Sequence, residues 1–186
     1  FALDGTEVVP EFDVSDGFVS HLSSINGRPD ISSLADGGFV VTWRADEPGG
    51  DQGSPGLARG FDNSGQPSGL EISVPTNPKI SQLADGGFVL VWLEPDDHEI
   101  VAQAYASDGS LQGAEVTVSS INIHNEGLGD VTSVGSGFAV VWEENKPAPD
   151  DDAIMVQRYS QLGEPIGSQI VVDSIKTTPF PNITET

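Results

Sequence analysis

Carboxylates are the residues of this chain best suited to chemistry, and they are gathered. Twelve of the 29 acids lie in three short stretches: Asp46, Glu47 and Asp51; Glu94, Asp96, Asp97 and Glu99; Glu143, Glu144, Asp150, Asp151 and Asp152. Crowded carboxylates repel one another, and a hard cation relieves that repulsion by binding several of their oxygens at once. Ca²⁺ is the candidate ion, with Asp96, Asp97, Glu99, Asp150, Asp151 and Asp152 as its candidate ligands. The competing reading is an acidic rim that only keeps the surface solvated. His98 sits between Asp97 and Glu99, which allows a transition metal there as well as a plain surface histidine. His21 and His124 share no position with it.

Nothing else in the chain marks a catalytic centre. Cysteine is absent, which excludes disulfides, Cys-ligated zinc and thiol catalysis. No spacing suggests a Ser-His-Asp arrangement, and no Gly-rich phosphate loop precedes a helix. Acid pairs suited to glycoside chemistry are so numerous that none stands out. Trp43, Trp92 and Trp142 form a set that either stacks on sugars or packs a core. The expectation is therefore a chain that is not an enzyme.

Each acidic stretch follows one of those tryptophans, so the elements around them position the acids. The tryptophans fall 49 and then 50 residues apart and end near-copies of one strand: Gly38-Phe39-Val40-Val41-Thr42-Trp43, Gly87-Phe88-Val89-Leu90-Val91-Trp92 and Gly137-Phe138-Ala139-Val140-Val141-Trp142. A fixed period of that size signals a repeat architecture. Upstream, Pro29 to Phe39 matches Pro78 to Phe88 almost position for position, and Asp130 to Phe138 is a copy one residue shorter. Asp-Gly between apolar runs marks a hairpin, because the turn needs positive φ. Asp36 and Asp85 in these turns are expected to cap their own backbone; an ion there is the second reading. Downstream, apolar runs end in Phe61, Tyr105 and Tyr159, and after a Gly turn come Glu71 to Val74, Glu115 to Val118 and Gln169 to Val172. The unit is four short antiparallel strands, A to D.

Strand B alternates: Phe39, Val41 and Trp43 on one face, Val40 and Thr42 on the other. Both faces are largely apolar in the three copies, so strand B should be buried on both sides, between neighbouring sheets. Four-stranded sheets of this length stacked radially make a β-propeller. The expected fold is all-β: about 3.5 propeller-like blades of roughly 50 residues, open or partial, each relying on its neighbour for a core. The division is a partial blade with strands C and D plus a connector in 1–28, repeats at 29–74, 75–118 and 119–172, and the start of a next repeat at 173–186. This reads as a window on a longer array; the alternative is a short domain permuted within its blade. Asp16 to Ser20, in the long connector, faintly echoes strand B.

These strands resemble the propeller-like Gly-Gly-Phe-Val-Val-x-Trp repeats of very large secreted bacterial surface proteins, of the hemolysin-type calcium-binding (RTX) and adhesin kind. The resemblance covers roughly residues 1–14 and 29–186. It implies a structural, adhesive or assembly module at the cell surface. The nonapeptide calcium repeat of that family is missing, so its calcium sites do not carry over. The Asp-box and WD signatures of other propellers are missing too.

Composition narrows the partners. With 29 acidic and 7 basic residues the formal charge is −22, a field that repels nucleic acid and anionic membranes. No apolar run approaches the length of a transmembrane helix. The acidity, the lack of Cys and the all-β repeats point to a secreted or cell-surface location. The expected partners are other copies or further repeats of the parent protein, with a glycan as the second candidate. The rival functions are a glycan-binding propeller lectin and a non-catalytic part of a polysaccharide-degrading enzyme.

Overall fold

The structure, a computed structural model, describes residues 29–44, 55–75, 78–95, 99–119, 127–144 and 152–175. The partial blade expected in 1–28 and the residues 176–186 lie outside them. The described residues form twelve strands and no helix. They divide into three four-stranded antiparallel sheets, each with its strands in chain order. The first holds β1 (Asp30–Ser33), β2 (Phe39–Arg44), β3 (Gly56–Phe61) and β4 (Pro67–Val74). In the second are β5 (Lys79–Gln82), β6 (Phe88–Leu93), β7 (Ile100–Tyr105) and β8 (Leu111–Ser119). The third contains β9 (Gly127–Val134), β10 (Gly137–Glu144), β11 (Asp152–Tyr159) and β12 (Pro165–Ile175). The sheets are not closed into a ring.

The turns form where the glycines allow. Gly37 and Gly86 have φ of 87° and 93°, and the Asp36 and Asp85 carboxylates accept the N–H of Gly38 and Gly87 at 2.9 and 3.1 Å. These aspartates thus cap their own turns, as expected of Asp in that position. The glycine before each phenylalanine has a separate reason. A Cβ on Gly38, Gly87 or Gly137 would run into the backbone carbonyl of Phe61, Tyr105 or Tyr159 on the third strand of the sheet, which pairs directly with the second. That carbonyl belongs to the aromatic that stacks on the following phenylalanine: Phe39 on Phe61, Phe88 on Tyr105, Phe138 on Tyr159, with ring centroids 5.1, 5.3 and 5.2 Å apart. The Gly-Phe pair therefore serves one close contact between strands B and C.

A β-bulge recurs between the third and fourth strands, with register shifts at Arg59/Phe61, Ala102/Ala104 and Val156/Arg158. Bulges leave ladder groups without strand partners. Gln103 and Gln157 meet that need. The Gln103 amide donates to the Ala104 and Gln112 carbonyls at 2.8 and 3.2 Å; that of Gln157 donates to the Arg158 and Ile166 carbonyls at 2.7 and 3.3 Å.

The core lies between the sheets. Phe88, Leu90 and Trp92 of β6, with Ile80, Val101 and Tyr105, pack against Val40, Ala58, Leu70 and Val74 of the first sheet. On the other side, Val89, Val91, Ala102 and Val118 meet Val131, Phe138, Val140, Trp142, Met155 and Tyr159 of the third sheet. So each sheet has an aromatic face, carrying Phe and Trp, and an aliphatic face, and the aliphatic face of one receives the aromatic face of the next. Strand β6 is buried on both faces, as its apolar alternation requires. The sheets run in the same direction. The Lys79 ammonium lies 3.7 Å from Asp30 where β1 and β5 start, and the Ser33 hydroxyl donates to Gln82 at 2.9 Å where they end. At the same end, Asp85 of the β5–β6 turn accepts from Gln112 of β8 at 3.0 Å and also from Gln161 of the β11–β12 turn.

Candidate functional site

The loops that follow the tryptophans leave from one end of the sheets, the end where Arg44 pairs with Gly56, Leu93 with Ile100 and Glu144 with Ala153. Because the sheets share a direction, these loops leave on the same side of the stack. Of the candidate calcium ligands, Glu99 and Asp152 fall on described residues, while Asp96, Asp97, Asp150 and Asp151 lie outside them, as do Asp46, Glu47, Asp51 and His98. Glu99 directly precedes β7, and Asp152 opens β11 opposite Ile175.

Several acids near these loops have protein partners. The Glu94 N–H donates to the Glu99 carbonyl at 2.8 Å and closes the base of the second loop. The Glu94 carboxylate accepts the Trp92 indole N–H at 2.7 Å. Glu99 accepts from the Thr117 hydroxyl at 3.4 Å. Glu144, two residues after Trp142 as Glu94 is after Trp92, is buried. The Trp142 indole N–H is nonetheless buried without an acceptor among the described residues. Three or more His, Asp or Glu side chains do not converge into a metal-holding group anywhere in the described residues.

Trp92 and Trp142 are buried in the two inter-sheet cores, so their ring faces are covered by protein. Trp43, in the first sheet, is half-buried, with the Arg59 guanidinium 5.8 Å from its ring centre. Arg59 also pairs with Glu71 at 2.8 Å. This basic side chain occupies the position taken by Gln103 and Gln157 in the other copies, and the sequence reading passed over it. The signal was available: a cation stands where the other two copies have neutral amides.

The opposite end of the stack titrates differently from free side chains. The Ser64 hydroxyl and the Gln66 N–H hold the Asp62 carboxyl below the usual carboxylate range, and the Ser110 hydroxyl does the same for Asp108. Burial raises the Tyr105 phenol, helped by the charge of Glu115, and pushes that of Tyr159 up to about 12. The Asp62 and Asp108 shifts follow from turn geometry and the Tyr159 shift from core packing, while the Tyr105 shift combines burial with the Glu115 charge.

Among the described residues no helix is long and apolar enough to cross a membrane. No protein-family model matches the chain, and no curated protein matches it significantly.

Proposed function

We propose that the chain is a non-catalytic structural or adhesive assembly module of a large secreted or cell-surface bacterial protein, built from propeller-like blades and stabilised by calcium at its acidic loops. The observation that carries this reading is that the repeated residues serve packing. Phe88, Trp92, Phe138 and Trp142 fill the spaces between sheets, and the pairing of the third and fourth strands carries a bulge at the same place in each unit. A catalytic centre needs one asymmetric cluster, whereas this chain repeats one scaffold. The burial of Trp92 and Trp142 counts against a lectin that stacks sugars on equivalent tryptophans. The carboxylates at one end of the stack support calcium, since a divalent ion offsets the repulsion of a chain at −22.

Light scattering coupled to size exclusion, with Ca²⁺ and then with chelator, tests the proposal. The expected result is a species heavier than the 19.5 kDa chain, with a melting temperature that calcium raises. A folded monomer in both buffers would remove the assembly role. An unchanged melting temperature at equal ionic strength would leave the acids as a solvated rim.

A further inference from the structure

The two inter-sheet contacts follow one rule, and positions at the two ends of the stack are left outside it. In the first strand of each sheet, Ile80 and Val131 point from the aromatic face into a neighbouring sheet and are 5% and 6% exposed; Ile31, their equivalent, is 63% exposed. In the fourth strand, Val74 and Val118 lie beneath the next sheet at 5% and 3%, whereas Val172 is 60% exposed. Leu34 and Leu83 are buried likewise, and Val134 in the same position is open. The aliphatic face of the third sheet also holds a groove of about 270 Å³ lined by Asp130, Thr132, Ala139, Val141 and Val156. Ala139 and Val141 are the counterparts of Val40 and Thr42 and of Val89 and Val91, all four of which are buried under an aromatic face.

From these matched positions we infer that the aliphatic face of β9–β12 receives the aromatic face of β1–β4 from a second copy of this chain, head to tail. The inference rests on the assembly reading above and gives it a surface and a polarity. The chemistry of the occupant is set by the two contacts within the chain, where Phe, an aliphatic residue and Trp at alternate positions meet Val and Ala across the gap. Phe39, Val41 and Trp43, with Ile31 beside Val41, present that pattern on the outer side of the first sheet. A contact between unlike faces is heterologous, so it propagates into a ring or a filament and does not stop at a twofold dimer. Two charged positions differ from the internal contacts: the aromatic face of the first sheet carries Arg59 where the others carry Gln103 and Gln157, and an aspartate meets an aspartate. Asp30 faces Lys79 between the first two sheets, but in the head-to-tail contact Asp130 would face Asp30 of the next copy. Association therefore depends on screening or on a cation at that junction.

The test uses two variants of the full chain, Ile31→Asp and Val172→Asp, with the wild type, in about 1 M salt where charges are screened beyond roughly 3 Å. Both substitutions fall at exposed positions, and circular dichroism and melting confirm that the monomer fold is kept. The wild type should grow in mass with concentration while each variant alone stays at one chain. A one-to-one mixture should stop at two chains, because each variant keeps the face that the other has lost. If the wild type assembles and both variants still assemble, the assembly role stands and this contact is wrong. Monomeric variants that fail to pair when mixed would also overturn it. A wild type that stays monomeric overturns the assembly role itself.

Discussion

Gly87 shows how much of this architecture is decided by one missing atom. Its Cβ would strike the Tyr105 carbonyl, which belongs to a β-strand and cannot swing aside as a side chain would. Relief would come only by parting β6 from β7, at the stacked Phe88–Tyr105 pair. Gly87→Ala should therefore cost roughly 1–3 kcal/mol in denaturant unfolding, the scale of overpacking in a filled core. A loss within about 0.5 kcal/mol, the range of ordinary surface changes, would show that the strands yield easily. The glycine is visible in the sequence as part of the Gly-Phe word, but its reason is not. The turn explains Gly86, at positive φ; only the partner strand explains Gly87.

Between elements, an exception to the repeat is as informative as the repeat. Thr42 occupies the place of Val91 and Val141 and is fully buried. Its hydroxyl donates to the Pro78 carbonyl at 3.1 Å, which ties β2 to the residue that leads into β5 of the next sheet. Matching Thr42 to its counterparts would suggest that valine is harmless. Thr42→Val should instead destabilise by about 1–3 kcal/mol, because it leaves a carbonyl without its donor. A midpoint equal to or above the wild type would show that Pro78 needs no such partner.

The same contrast governs what was legible along the chain. Strand B, its turns and its two apolar faces were readable because their causes are local: alternation, Asp-Gly and a period near 50. The division into three sheets followed from counting copies. The full length of the fourth strands was not readable. The sequence reading reached only Glu71 to Val74 and its counterparts, whereas β4, β8 and β12 begin at Pro67, Leu111 and Pro165. Their first residues alternate poorly, and pairing across the bulge defines them. At the candidate site, the acids were plain in the sequence, but the Glu94–Trp92 bond and the burial of Glu144 depend on how β6 and β10 end.

For the whole molecule the dominant quantity is charge. Seven basic residues cannot neutralise 29 acids, and the ion pairs among the described residues include Arg59–Glu71 and a looser Lys79–Asp30 contact. The excess must repel itself across the stack, and folding brings those charges closer than they are in the extended chain. Salt should accordingly stabilise the protein. Raising NaCl from about 0.01 M to about 1 M shortens the screening length from roughly 30 Å to roughly 3 Å. If screening recovers about 1–2 kcal/mol, the melting temperature of a chain this size should rise by roughly 2–8 °C. Monovalent salt titrated in the presence of chelator isolates this effect from any calcium site. A flat or falling melting temperature would mean that the acids are already spaced beyond one another's reach. In that case the acidic loops would also lack the crowding on which a calcium site depends.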